Sequence, residues 1–166
     1  MKTSDATLDL QVYPAEVLRQ ICKPVEQFDA ELRDMIEAMF ALMRRSEGIG
    51  LAAPQAGLAR QVFVCRIQNE TLALVNPVIL ETGKETQMVE GCLSLPGMHV
   101  NVTRHDRVYV AALDVRGRRM QYELTGLWAR VVQHEMDHLN GVLICDYGEP
   151  VTDDALEPVS GNKNDL

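Results

Sequence analysis

The chain has 166 residues and a formal net charge of −8, with 46% hydrophobic and 24% charged residues. This length and composition predict one globular domain that buries a sizeable core without disulfides. The apolar runs are of strand length, which argues against a membrane role, and the acidic balance without a lysine or arginine cluster argues against nucleic acid as a partner. The first residues lack the apolar run of a secretory signal and the four cysteines are widely spaced, so we expect a cytoplasmic protein with reduced thiols.

The first predicted element after a short wrapping segment is a long amphipathic helix. Asp29 is a favourable N-cap, and the apolar residues after it recur at helical spacing. These residues are Leu32, Met35, Ile36, Met39, Phe40 and Met43. Residues 48–55, rich in glycine and alanine, then predict a loop whose backbone passes close to a neighbouring group, with a plain tight turn as the alternative.

Six short runs rich in apolar and β-branched residues predict strands. They cover residues 61–67, 72–75, 85–89, 100–103, 108–114 and 119–124. We expect Asn76-Pro77 to end the second strand, residues 114–117 to turn the last hairpin, and residues 142–145 to add an apolar strand. With one helix before the strands and one after them, the pattern predicts an α+β domain with a mixed, mainly antiparallel sheet packed around the second helix.

The second helix carries the pattern H-E-x-x-H at residues 134–138. Residues four apart lie one turn above each other, so His134 and His138 can direct two imidazoles at one point while Glu135 lies beside it. These are the residue types of a site in which a metal activates water. A helix that happens to carry two buried histidines is the alternative that the pattern alone leaves open.

The sequence also predicts where this helix begins and ends and which way one of its charged residues faces. Thr125 is a candidate cap at the start, and Gly141 is a candidate end. Arg130 lies where an apolar residue would also fit, and we expect it to face solvent with its aliphatic stem on the core.

A third metal ligand is needed for a catalytic site, and Cys92 is the preferred candidate. It lies at the end of a predicted strand, between a glycine and a Pro-Gly pair. One thiolate and two imidazoles leave the fourth position of a tetrahedral metal open for water. A buried structural thiol is an equally good interpretation of Cys92 from spacing alone. Cys145 is a rival ligand, less favoured because it falls in a predicted apolar strand.

Three separated motifs resemble those of the peptide deformylases. They are G-x-G-L-A-A-x-Q at residues 48–55, E-G-C-L-S at residues 90–94 and Q-H-E-x-D-H at residues 133–138. The resemblance runs from about Val12 to Tyr147, so we expect residues 1–148 to form the catalytic domain and residues 149–166 an acidic tail. It implies a metal-dependent hydrolase that removes the N-formyl group from the N-terminal formyl-methionine of nascent polypeptides and releases formate.

The resemblance also implies the ligands and the metal. Cys92, His134 and His138 would bind one divalent ion, and Glu135 would be the general acid and base. Ligand softness allows zinc or ferrous iron. The family implies Fe²⁺ as the physiological metal, with Zn²⁺, Ni²⁺ or Co²⁺ as substitutes.

The remaining implied residues contact the substrate. The side-chain amide of Gln55 and the backbone N–H of Leu93 would donate to the formyl oxygen. The positions along the bound peptide or around its methionine pocket would be Ile49, Gly50, Glu90, Leu127 and Val131. Many family members have an arginine where this chain has His99, which leaves peptide selectivity beyond methionine open.

The expected partners are N-formylmethionyl peptides, met by a monomer that has only transient proximity to the ribosome. Deformylases of the enterobacterial type end in a basic helix, whereas residues 149–166 contain Pro150, Pro158 and Gly161 and are acidic. Proline interrupts a helix and RNA phosphates repel negative charge, so we expect no docking helix and a tail that is dispensable for turnover.

Two other functions compete with this interpretation. A zinc peptidase shares H-E-x-x-H, but the third histidine of one peptidase pattern would fall at Ile144, and a glutamate ligand would have to come from the Pro- and Gly-interrupted tail. A binding module with a vestigial site is the third possibility. The intact ligands, base and glutamine speak against it.

Overall fold

The computed structural model describes residues 7–152 and Leu166. Within them, a five-stranded sheet and a two-stranded sheet, both antiparallel, combine with two α-helices, which confirms the α+β class. The helices are α1 (Ala30–Arg45) and α2 (Gly126–Leu139). The strands are β1 (Gly50–Ala52), β2 (Val62–Ile67), β3 (Glu70–Thr82), β4 (Glu85–Cys92), β5 (Leu95–His105), β6 (Arg107–Leu113) and β7 (Arg119–Thr125). The larger sheet has the order β1-β2-β3-β6-β7, and β4 pairs with β5 alone.

Helix α1 covers one face of the larger sheet. The Asp29 side chain accepts a hydrogen bond from the Leu32 N–H at 3.0 Å and caps the helix. Strand β2 begins with four successive buried residues because both of its faces are covered. Val62 and Val64 belong to the apolar cluster that contains α1, and Phe63 and Cys65 belong to the cluster that contains α2.

Helix α2 lies between the larger sheet and the β4–β5 hairpin. Its apolar side packs in the cluster with Phe63 and the other buried residues of the larger sheet. Its other side carries four polar residues at positions i, i+3, i+4 and i+7, here called the polar stripe: Arg130, Gln133, His134 and Asp137. Each of them makes a hydrogen bond to β4 or β5. Directional bonds therefore fix the rotation of this helix, in addition to apolar packing.

Strand β3 does not end at Asn76-Pro77, so that expectation is wrong. The strand continues to Thr82, with a register shift between Val75 and Val78. Asn76 adopts a φ of 49°, and its side chain bonds both backbone groups of Val25, at 2.8 and 2.9 Å. A bulge leaves its extra residue outside the ladder, so a proline without an N–H is tolerated there.

Residues 142–145 do not form the predicted strand. A 3₁₀ turn occupies Ile144–Asp146 instead. The Asp146 side chain accepts from the Leu143 N–H at 3.0 Å and from Arg19 at 2.6 Å, and these bonds stabilise the turn against an extended chain. The predicted loop at residues 48–55 likewise contains β1 and a 3₁₀ turn at Ala53–Ala56.

The ends of α2 match the predicted positions, with one difference in detail. Thr125 is the N-cap residue, but its side chain makes no capping hydrogen bond. Gly141 follows the helix with a φ of 71°, and a Cβ there would lie 2.6 Å from the Arg19 carbonyl oxygen. Glycine is therefore required at this position both for conformation and for space.

The start of the expected tail lies beside β5. Pro150 forms an antiparallel bridge with Val100, and the Val151 N–H donates to the His99 carbonyl at 2.8 Å. Residues 153–165, most of the tail, lie outside the described residues. Across the part of the chain that is described, no helix is long and apolar enough to cross a membrane.

Replacing Gln133 with leucine tests the directional attachment of α2. Its Oε1 accepts from the His105 N–H at 2.9 Å, and its Nε2 donates to the His105 carbonyl at 2.8 Å. Because the variant leaves partly buried backbone groups of His105 without these partners, we expect a loss of about 1–3 kcal/mol in the free energy of unfolding, measured in urea. Gln121→Leu, at an exposed position on β7, is the control. Equal losses in the two variants would contradict this role.

Candidate active site

Three buried donor atoms meet between α2 and the end of β4. They belong to Cys92, His134 and His138, and all lie within 4.8 Å of one another. The two Nε2 atoms are 3.2 Å apart, and the Cys92 Sγ is 3.5 Å from the Nε2 of His138. Zn–N bonds of ~2.0–2.1 Å and Zn–S bonds of ~2.3 Å in a tetrahedron separate two nitrogens by about 3.3 Å and nitrogen from sulfur by about 3.6 Å. The donor spacing thus fits a single metal ion.

Burial keeps two of these donors in defined protonation states. It lowers the pKa of His138 well below the usual range, so this imidazole is neutral and has a lone pair to offer. It raises the pKa of the Cys92 thiol to about 12, so a nearby cation is needed to stabilise the thiolate. The rival Cys145 lies outside this cluster, with its Sγ 3.7 Å from the guanidinium of Arg19.

The Glu90 carboxylate orients His134. One oxygen accepts from the His134 Nδ1 at 3.0 Å, which places the imidazole proton on Nδ1 and leaves the Nε2 lone pair free for a metal. The Arg104 guanidinium binds both carboxylate oxygens, at 2.7 and 2.9 Å. Burial opposes ionisation of Glu90, but the bonds from His134 and Arg104 outweigh it and lower its pKa to about 2. Both oxygens are engaged in this way, so the carboxylate positions His134. The place of Glu90 in the methionine pocket stays a prediction.

Arg130 is a second guanidinium on Glu90, and the expectation that it faces solvent is wrong. It is only 5% exposed and donates to Glu90 Oε2 at 2.5 Å. It also donates to the Val102 carbonyl at 3.2 Å and to the carbonyl and hydroxyl of Thr86 at 3.1 Å each. The sequence contains a signal for this contact, because a residue four positions before His134 lies on the same side of the helix.

Glu135 lies beside the donor cluster with its carboxylate unpartnered. It is fully buried, and neither oxygen has a hydrogen-bond partner among the described residues. Burial raises its pKa well above the usual range of a carboxyl group. A Cβ at Gly50 would overlap Oε1 of Glu135 and come within 3.0 Å of Val131, so the glycine leaves the room that this carboxylate occupies.

Gln55 points its amide nitrogen toward Cys92. Its Oε1 accepts from the Ala52 N–H at 2.9 Å, and this bond fixes which end of the amide faces the site. Its Nε2 then donates to the Ser94 hydroxyl at 3.1 Å and lies 3.7 Å from the Cys92 Sγ. The amide is therefore held in one orientation before any ligand arrives.

Leu166 was not predicted as part of the site, but it contacts Leu93 and belongs to the apolar cluster that contains Val131. The Leu93 N–H donates to a backbone oxygen of Leu166 at 3.2 Å. Leu166 is 2% exposed and lies in the same apolar cluster as Val131, against which Ile49 and Leu127 also pack. Nothing in the local sequence indicates this contact, because it joins residues far apart in the chain.

The fold and the site define a class of protein. An α+β domain whose central helix offers two imidazoles and a buried glutamate next to a cysteine thiol is typical of metal-dependent hydrolases. The family model for polypeptide deformylase matches residues 7–153.

Relatives and solved structures agree with that match. A peptide deformylase of Thermotoga neapolitana is 46% identical over 142 residues, 85% of this chain and 87% of the relative. One of Thermodesulfovibrio yellowstonii is 40% identical over 151 residues, 88% of this chain and 92% of the relative. The crystal structure of the Thermotoga maritima peptide deformylase has a TM-score of 0.84 at 43% identity and covers 87% of this chain and 99% of its own. That of the Synechococcus elongatus enzyme, in complex with actinonin, has a TM-score of 0.83 at 45% identity and covers 90% and 82%.

The chain belongs to the polypeptide deformylase family. It is a metal-dependent hydrolase that removes the N-formyl group from the N-terminal formyl-methionine of nascent polypeptides and releases formate. The zinc peptidase and the vestigial binding module are thereby set aside. The family and the three-donor cluster support a single metal ion per chain.

Replacing Arg130 with methionine tests the second guanidinium. The variant keeps an apolar stem but removes one of the two guanidinium groups on Glu90 and one donor from the carbonyls of Thr86 and Val102. We expect the metal-free protein to lose roughly 3 kcal/mol in the free energy of unfolding, measured in urea.

Arg107→Met is the matched control for this variant. The Arg107 guanidinium is 3.5 Å from Glu123 in a solvent-exposed pair, and its loss should leave the urea midpoint in place. If Arg130→Met also kept the wild-type midpoint, the two arginines on Glu90 would be redundant.

Proposed function

We propose that Cys92, His134 and His138 hold one catalytic metal ion and that Glu135 is the general acid and base of deformylation. The observation that carries the proposal is a buried carboxylate without a hydrogen-bond partner among the described residues, beside three donors at metal-sharing distances. When bound, the metal supplies a Lewis acid and lowers the pKa of bound water to about 7. Cys92, His134 and His138 would hold the ion with three protein donors, one fewer than a closed structural zinc site uses.

Glu135 moves the proton that the reaction requires. It accepts the proton of the attacking water as the new C–O bond forms at the formyl carbon, and it returns this proton to the amine nitrogen as the C–N bond breaks. Formate and a free amino terminus are the products. Because Glu135 is fully buried, its pKa is raised well above the usual range of a carboxyl group, which favours the protonated form that donates to the amine nitrogen.

Gln55 and Leu93 stabilise the charge that develops on the formyl oxygen. The Gln55 amide donates through a nitrogen whose orientation is fixed by the bond from the Ala52 N–H, and the Leu93 backbone N–H is the second donor. Preorganised donors cost no reorganisation during the reaction, and loss of one such donor typically lowers turnover roughly 10²–10³-fold.

The substrate peptide lies along β1, and its methionine side chain enters an apolar pocket bordered by Ile49, Leu127 and Val131, with Glu90 behind it. Strand β1 is at the edge of the larger sheet, so Gly50 can offer backbone groups to an extended peptide. The absence of a side chain at Gly50 also keeps the peptide close to Glu135.

Fe²⁺ is the proposed physiological metal, with Zn²⁺, Ni²⁺ and Co²⁺ as substitutes. A set of one thiolate and two imidazoles binds all four ions, so the choice of iron follows the resemblance to the family. We also propose a cytoplasmic monomer with a catalytic domain in residues 1–148 and an acidic segment in residues 149–166. The negative charge of that segment disfavours stable docking on ribosomal RNA.

Replacing Glu135 with alanine tests the general base. We expect formate release from a formyl-methionyl peptide to fall by about 10²–10⁴-fold while about one metal ion per chain is retained, because the carboxylate is not a ligand. Metal analysis of the same samples provides the second readout. Glu37→Ala, at an exposed position on α1, should keep wild-type turnover. Loss of the metal from the Glu135 variant would show that the glutamate is a ligand instead.

Two cysteine variants test the choice of thiolate and the metal together. Purified without oxygen, the wild-type protein and Cys145→Ala should each contain about one iron per chain, whereas Cys92→Ala should contain almost none. Elemental analysis distinguishes iron from zinc in these samples. Metal retained by the Cys92 variant and lost from the Cys145 variant would mean that the ligand assignment is wrong.

A further inference from the structure

Tyr147 has no part in the proposed catalysis, yet it contacts the charged side chains behind the metal donors. Its hydroxyl donates to Asp137 Oδ2 at 2.6 Å, and the guanidinium carbon of Arg104 lies over its ring, 5.3 Å from the ring centre. We propose that Tyr147 is a positioning residue of the metal site, which acts on the ligand His134 through two intervening side chains. These are Arg104 and Glu90. The inference rests on the proposed metal site.

The Arg104 guanidinium connects Tyr147 to the metal ligand. Two of its nitrogens donate to the two oxygens of Glu90, at 2.7 and 2.9 Å, and its third nitrogen donates to Asp137 Oδ2 at 2.9 Å. A planar guanidinium that makes two parallel hydrogen bonds to a carboxylate fixes the plane of that carboxylate. One Glu90 oxygen accepts from Nδ1 of His134 at 3.0 Å. The orientation of Arg104 therefore determines how the imidazole is held.

Tyr147 restrains Arg104 in two ways. Its ring lies over the guanidinium, and the attraction between a cation and the face of an aromatic ring is stronger where water is excluded. Its hydroxyl donates to the same Asp137 oxygen that accepts from Arg104, so it also holds the second partner of the guanidinium in place. Partial burial and the bond to Asp137 raise the pKa of Tyr147 to about 12, so the hydroxyl keeps its proton and stays a donor at neutral pH.

The backbone around Tyr147 is held on both sides. Before it, a 3₁₀ turn ends with a hydrogen bond from the Tyr147 N–H to the Ile144 carbonyl at 3.0 Å. After it, Pro150 forms a bridge with Val100 on β5, the strand that also carries Arg104. Tyr147 is itself 42% exposed, whereas Arg104 is only 4% exposed. The tyrosine thus adds little to the apolar core, and its directional contacts go to the charged side chains behind the ligand.

Two variants of the full chain test the proposal through the affinity for Co²⁺, measured by competition with a chelator. Tyr147→Leu removes the ring and the hydroxyl, and Tyr147→Phe removes the hydroxyl alone. Replacing a residue that directly supports a metal ligand typically weakens metal binding roughly 10–100-fold. Because Tyr147 acts from one step further away, we expect the dissociation constant to rise roughly tenfold in the leucine variant and about threefold in the phenylalanine variant.

Tyr109 provides the matched control. The Arg107 guanidinium lies over its ring at 5.2 Å and donates to its hydroxyl at 3.4 Å, so the same two side chains make the same kinds of contact. This arginine pairs with Glu123 at the protein surface and not with the carboxylate behind a ligand. Tyr109→Leu and Tyr109→Phe should therefore keep the wild-type affinity for Co²⁺.

Solvent exchange of the His134 Nδ1 proton, followed by NMR in the metal-free protein, is the readout that depends on neither metal nor turnover. This proton should exchange faster in Tyr147→Leu than in the wild type and in Tyr109→Leu. Wild-type Co²⁺ affinity in Tyr147→Leu would overturn the proposal, as would equal weakening in both leucine variants or an unchanged exchange rate. If the wild-type protein bound no Co²⁺, the proposed metal site would be at fault, and the exchange rates would still decide whether Tyr147 positions His134.

Discussion

The ion pair between Glu90 and Arg104 is the interaction on which the site depends. The Glu90 carboxylate fixes the proton of His134 on Nδ1. Glu90 lies near the end of β4, two residues before Cys92. One buried anion thus connects the strand that supplies the thiol to the helix that supplies the imidazoles. A metal ligand held in this way has one tautomer and one orientation, which is the usual role of a carboxylate behind a histidine ligand.

Burying charged side chains in an apolar interior costs free energy unless opposite charges are paired. Glu90 and Asp137 face Arg104 and Arg130, and each of the four makes at least one further hydrogen bond or ion pair within this group or to nearby backbone. Buried ion pairs often add little net stability, since desolvation offsets their attraction. What they add here is a set of directional contacts between α2 and the hairpin. In the observed rotation of α2, all four residues of the polar stripe meet partners on the hairpin.

The sequence predicts the features that depend on local patterns. The Asp29 cap, the last hairpin turn and the extent of α2 all follow from residue types at fixed spacing. The sequence does not predict features that depend on partners distant in the chain. The Asn76 bulge relies on Val25, and the burial of Arg130 relies on strands more than 25 residues away. The contact of Leu166 is the extreme case, because no short-range pattern relates a leucine to an amide so far back in the chain.

The donor atoms of the cluster come from positions up to 46 residues apart in the chain. A partly synthesised chain that has produced Cys92 but not α2 therefore offers an ion the thiol of this cluster and neither of its imidazoles. The three donors come together only in the folded chain. An ion bound by all of them would therefore favour the folded over the unfolded state, and the apparent stability of the protein would rise with the metal concentration.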